Sequence, residues 1–120
     1  MQRHSKLRDN PRAIAVDILN RVDRSRAFAE PLLDRVLSGN GVEDPADRSL
    51  LTQIVYGTLR MRNRLDWILG NLYEGDFESL EGTLKNILRV GLFQITCLDR
   101  IPHYAAVDEA VELTRSVRPG

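Results

Sequence analysis

Cysteine is nearly absent from these 120 residues, and Cys97 is the only one. An internal disulfide is therefore excluded, and the usage fits a reducing compartment. Histidine is almost as scarce, with His4 and His103 far apart, so a His/Cys metal cluster is not expected. No apolar run approaches the roughly 18 residues that a membrane-spanning helix needs. The basic N-terminus has no apolar segment behind it, unlike a secretory signal. The expectation is a cytoplasmic chain with no membrane partner. A phosphate-cradling loop is also missing: Gly39-Asn40-Gly41 is followed by acids and preceded by no strand pattern. No segment alternates apolar and polar residues in the manner of a strand.

What is present is helical periodicity. Asn10-Pro11 reads as a helix start, with Asn as cap and Pro at the first position. Ile14, Ala15, Ile18, Leu19 and Val22 follow at helical spacing. Pro31 is expected to open a second helix with Leu32, Leu33, Val36 and Leu37 as its stripe, ended by residues 38–41 through a left-handed backbone. Asp44-Pro45 repeats the start signal, and Leu50, Leu51, Ile54, Val55 and Leu59 line a third helix. Gly57 inside it points to a close helix–helix approach or a nearby helix end. Leu65, Ile68, Leu69 and Leu72 mark a fourth helix, ended by Glu74-Gly75-Asp76. A fifth is predicted over about 80–98 and a sixth after Pro102, with Val107, Ala110, Val111 and Thr114 along one side. Gly91 is expected to admit a neighbouring helix, and Asp108 and Glu109 to complement the dipole at the sixth helix's start. Short connections predict an all-α, antiparallel bundle of about six helices.

Charge is balanced overall, with 17 basic and 17 acidic residues, but unevenly placed. Residues 1–26 carry a formal +4 and residues 27–120 a formal −4. Residues 1–10 read as a flexible basic lead-in, and residues 11–120 as one helical domain. Arg3, Lys6, Arg8, Arg12, Arg21, Arg24 and Arg26 suit contact with phosphates, since the guanidinium forks onto phosphate oxygens. Arg60, Arg62 and Arg64 form a second basic stretch, in which Arg60 and Arg64 are expected to share a face. No catalytic centre is legible. Glu109 and Glu112 read as a solvated helix face, and Cys97 as a buried structural thiol with no base beside it. Trp67 is expected to anchor the core, with base stacking the other reading. Tyr56, Tyr73, Tyr104 and the phenylalanines are expected in the core or at turns.

Two stretches carry a family resemblance: LLTQIVYGTLRMRNRLDWIL over 50–69 and ILRVGLFQITCLDRIPHYAAVDEAVELT over 87–114. With the first two helices they resemble the NusB-like domain over nearly the whole chain. The resemblance implies a NusB-like helical bundle that binds RNA. Of the family's two branches, Tyr56-Gly57-Thr58-Leu59-Arg60, Leu65-Asp66-Trp67 and Gln94 look like the N-terminal domain of the Sun/Fmu (RsmB-type) methyltransferases. Those enzymes move a methyl group from S-adenosylmethionine to a cytosine of small-subunit rRNA. The other branch is a transcription antitermination factor that pairs with a ribosomal protein. The resemblance implies rRNA and a downstream methyltransferase domain as partners. It also implies no cofactor in this chain, with S-adenosylmethionine belonging to the downstream domain. Candidate RNA contacts are Lys6, Arg8, Arg12, Arg21 and Arg24, with Arg60 and Arg64 secondary. Family members continue into a further helix after the position of Gly120, so this chain reads as a piece of a longer protein lacking that helix. Apolar surface left on the sixth helix would then stay open or be covered by self-association.

Overall fold

The computed structural model describes residues 10–39, 41–98 and 103–117. Every regular element among them is helical: α1 (Pro11–Ser25), α2 (Ala29–Ser38), α3 (Pro45–Arg60), α4 (Arg62–Leu72), a 3-10 turn (Phe77–Ser79), α5 (Gly82–Cys97) and α6 (His103–Val117). They form two compact units, Met1–Tyr56 and Gly57–Gly120, whose border falls inside α3.

In the first unit, the Asn10 side chain accepts hydrogen bonds from the Arg12 and Ala13 amides at 2.8 and 3.4 Å, satisfying donors that the first turn leaves unpaired. Ala15, Val16, Ile18 and Leu19 are buried at helical spacing, and α1 packs against α2. α1 ends at Arg26, which holds a left-handed backbone with φ 55°. The sequence reading places that geometry among residues 38–41 instead, but Gly39 there is extended and caps α2 through its amide to the Val36 carbonyl. α2 also starts at Ala29, two residues before Pro31. Proline is tolerated there because a first-turn amide has no helical acceptor to lose. Arg48 ties the following loop to α3, donating to the carbonyls of Leu37 and Val42 at 2.8 and 3.1 Å.

In the second unit α5 is the most deeply buried helix, packed against α4 and α6. Gly57 meets the expectation of close approach: a Cβ placed on it would collide with the Phe93 ring from α5. Gly91 is less constrained, since a Cβ there would sit 3.7 Å from that of Ala110, an ordinary contact. Next to Gly57, the buried Thr58 hydroxyl has no hydrogen-bond partner among the described residues, a local penalty of about 1–3 kcal/mol. On α6, Ala106 and Leu113 face the core, while Val107 and Val111 remain about half exposed. Asp108 and Glu109 are not in the first turn, because α6 begins at His103 and its first turn holds no acid. The dipole role expected of them therefore does not apply. Leu88, Leu92, Ile95, Val107 and Val111 line an open apolar groove of ≈ 460 Å³ along α5 and α6.

Three side-chain expectations are overturned. Trp67 is 72% exposed and does not anchor the core; Leu65 and Leu69 do that for α4. Cys97 is exposed, because it is the last residue of α5 and lies beyond the packed part of that helix. Tyr56 and Tyr104 are exposed on helices, whereas Phe77 and Phe93 are buried; Phe28 and Tyr73 are exposed in the connections that follow α1 and α4, in keeping with turn positions.

Candidate nucleic-acid interface

Within α1 the described candidate basic residues do not form one cluster. Lys6 and Arg8 lie outside the described residues. Arg12 stands in the first turn of α1 and is half-buried, whereas Arg21 and Arg24 lie exposed near the other end. Nine residues of helix separate Arg12 from Arg21, roughly 13 Å along the axis and about half a turn around it. Arg21 and Arg24, three residues apart, share a face. α1 thus offers a basic pair at its C-terminal end and a separate arginine at its start.

The pair is only loosely committed within the protein. The Arg21 Nε lies 3.2 Å from the Asp17 carboxylate, one turn away, with both side chains more than half exposed. Such a contact contributes a few tenths of a kcal/mol and is easily exchanged for another anion. Arg21 also stands at the rim of an open groove of ≈ 600 Å³ between α1 and α2, floored by Ile14, Ile18, Leu32 and Val36. Arg35 of α2 lines the same groove, a basic residue that sequence patterning leaves out. Its position follows from α2 packing on α1, a tertiary fact with no local signature. Phe28 joins this end of the unit as a largely exposed aromatic at the start of α2, beside the left-handed Arg26.

The secondary candidates, Arg60 and Arg64, belong to the second unit and are exposed. They do not share one regular helix, because α3 ends at Arg60 and α4 starts at Arg62. Between them Met61 leaves helical geometry, with φ −96° and ψ 11°. Hydrogen bonds nevertheless run through the break, from the Met61 amide to Gly57 and from the Leu65 amide to Met61, both 2.9 Å. The two arginines are successive turns of a bent helical path.

One ionic constellation escapes sequence reading. Arg89 of α5 is 2% exposed and grips Asp66 of α4 with two hydrogen bonds, Nε to Oδ1 at 2.7 Å and Nη2 to Oδ2 at 2.9 Å. A third bond, 2.9 Å, reaches the Asn86 side chain, and the guanidinium lies 5.8 Å from the Phe77 ring centre. The bidentate fork fixes α4 against α5, and the guanidinium is buried behind it, so Arg89 is a structural and not an RNA-facing cation. Among the described residues no group of three or more His, Cys, Asp or Glu is placed to hold a metal ion. No helix among them is long and apolar enough to cross a membrane.

Comparison with known proteins gives these features a context. The model described as "NusB family" matches residues 9–119. The Bacillus subtilis (strain 168) protein named "Probable ribosomal RNA small subunit methyltransferase B" is 34% identical over 104 residues, covering 87% of this chain and 23% of that protein. The Vibrio vulnificus (strain YJ016) ribosomal RNA small subunit methyltransferase B is 34% identical over 110 residues, covering 91% of this chain and 25% of its own length. The chain thus spans about a quarter of the curated relatives it matches. Among solved structures, a chain in "Crystal Structure of a Plectonemic RNA Supercoil" aligns with TM-score 0.80 over 93% of this chain and 82% of its own, at 18% identity. At that identity the likeness is one of fold, and it agrees with the all-helical architecture.

Proposed function

Because this chain belongs to the NusB family, we propose that it is the RNA-binding accessory domain of an S-adenosylmethionine-dependent small-subunit rRNA (cytosine-5) methyltransferase, helping to dock rRNA for a downstream catalytic domain. The observation that carries this reading is the match to about a quarter of proteins named ribosomal RNA small subunit methyltransferase B, over nearly all of this chain. The exposed, weakly committed arginines of α1 supply the physical means. Arg21 can trade the Asp17 carboxylate for a phosphate with little loss of stability, and Arg24 lies on the same face. Lys6, Arg8 and Arg12 extend the basic character toward the N-terminus. On this reading S-adenosylmethionine belongs to the downstream domain, RNA and that domain are the partners, and the site of action is the cytoplasm.

The test is binding of small-subunit rRNA fragments by fluorescence anisotropy at several salt concentrations. With three to five phosphates engaged, the log–log salt slope is expected at roughly −2 to −4, from about −0.7 per single-strand phosphate. Replacing Arg8 and Arg12, or Arg21 and Arg24, by Glu is expected to weaken binding, and Arg115→Glu on α6 to change it little. Equal losses from the α1 and α6 changes would remove the N-terminal site. Calorimetric titration with S-adenosylmethionine is expected to show no binding to this chain; micromolar binding would overturn the assignment of the cofactor to another domain.

A further inference from the structure

Among the described residues, no core contact explains the composition of the outward side of α4. Leu65 and Leu69 point into the core, and Asp66, the helix's only acid, is turned onto the buried Arg89. That leaves Trp67 held outward, 72% exposed on a helix fixed by a two-bond ionic fork. Arg64 stands one turn before it on the same face, and Arg60 one turn before that along the bent path through Met61. Gly70, one turn after Trp67, has open space where a side chain would stand. Asn71 does not shield the indole by leaving its helix, since its amide bonds back to the Trp67 carbonyl at 2.7 Å. The result is an exposed aromatic plate next to an open stretch of backbone, with positive charge on one side and no uncommitted carboxylate on α4.

We propose that this face of α4 binds an unpaired nucleotide of RNA, with its base stacked on the Trp67 indole and the adjoining phosphates drawn to Arg64 and Arg60. The inference rests on the RNA-binding reading above and adds a second, single-strand-specific contact in the Gly57–Gly120 unit. The chemistry selects single strands because a base inside a duplex has both faces covered by its neighbours, whereas an unpaired base offers one to the indole. Stacking tolerates any base, so the site adds affinity for unpaired RNA without dictating its sequence. An indole carried by a helix also requires less backbone ordering on binding than one on a mobile loop.

The chain contains a single tryptophan, so its emission reports on this position alone. The experiment titrates the chain with a single-stranded RNA of about ten nucleotides, within the site sizes of single-strand binders, and with a duplex of matched composition. Tryptophan emission is read in parallel with anisotropy of the labelled RNA. The expected result is quenching that saturates together with anisotropy for the single strand and is absent for the duplex. Trp67→Ala is expected to weaken single-strand binding roughly tenfold, equivalent to about 1.4 kcal/mol, and Trp67→Phe to restore part of it. Circular dichroism checks that both variants fold. Anisotropy without quenching, together with unchanged affinity in Trp67→Ala, overturns the α4 site and leaves the RNA-binding reading standing. Equal quenching by the duplex overturns the single-strand claim. No RNA binding with the chain at about 0.1 mM, the weak end of non-specific nucleic-acid affinity, overturns both.

Discussion

Two aspartate–arginine pairs, one in each unit, use the same groups to opposite ends. Asp17 and Arg21 sit one turn apart on α1, more than half exposed, in a single contact of 3.2 Å. Asp66 and Arg89 join different helices, with side chains 21% and 3% exposed, in a two-bond fork. In water the first pair is one of many arrangements of nearly equal free energy. In the interior the second has no substitute for either partner, because stripping a charge of both water and counter-ion is far costlier than losing a surface contact. The difference teaches that arginine count alone does not locate an interface: one of these arginines is available to a phosphate and the other is part of the fold.

The sharpest way to break the comparison is to remove each carboxylate in turn. Asp66→Ala strands the buried Arg89 and is expected to lower stability by about 3–5 kcal/mol. Asp17→Ala is expected to change it by less than about 0.5 kcal/mol. Urea melts of both variants measure this directly, and equal shifts would erase the distinction. Replacing both inner partners, Asp66→Leu with Arg89→Met, is expected to recover most of the loss, since an apolar pair of similar size needs no compensation. A double variant as unstable as Asp66→Ala would mean that the Asn86 and Phe77 contacts of Arg89 matter more than its charge.

Glycine repeats the inside–outside contrast on a smaller scale. Gly57→Ala forces a methyl into the Phe93 ring and is expected to destabilise by about 1–3 kcal/mol. Gly70→Ala meets nothing and is expected to stabilise by about 0.4–1 kcal/mol, by restricting the unfolded chain. Opposite signs in the two melting temperatures sharpen the comparison; a shared sign breaks it. The smallest effect is ionic. Raising salt to about 1 M shortens the screening length to about 3 Å. It should abolish the slight coupling between Asp17 and Arg21 in a double-mutant cycle while leaving that of Asp66 and Arg89 largely intact.

Much of the fold was legible because its signals are local. Asn10-Pro11 marks the start of α1 through a cap that acts within three residues. The all-helical class follows from apolar spacing repeated in every segment. Gly57 was readable as a close-approach position from its place in a helix, although its partner Phe93, 36 positions later, was not. Arg89 was missed for the same reason: its acid lies 23 positions away, and nothing near it in sequence marks it as buried. Trp67 is a different failure. At 100° per residue it stands about 200° around the helix from Leu65, so its outward position was available in the spacing. The usual burial of tryptophan points the other way, and here the spacing is the better guide. Cys97 follows an inward stripe up to the last residue of α5, and only the packed structure shows where that stripe outruns its cover. The candidate site was legible as charge and not as arrangement. The sequence names Arg12, Arg21 and Arg24, but the place of Arg35 on the groove that Arg21 also lines comes from the fold.

The interlock of Gly57 with Phe93 also constrains how this domain can change over generations. The two positions behave as a single locus spread over two helices: the absence of a side chain at one is the space occupied by the ring at the other. A lineage that gains a methyl at 57 first passes through a crowded intermediate, and one that shrinks the ring first passes through a cavity that costs about 3–5 kcal/mol for a full Phe-to-Ala step. The first order costs about 1–3 kcal/mol and the second up to about 3–5 kcal/mol, a sizeable share of the roughly 5–15 kcal/mol by which a domain is stable. Exchange at these positions is therefore expected to be paired and rare, and a grafted α3 is expected to tolerate a foreign α5 only if both halves of the interlock travel together.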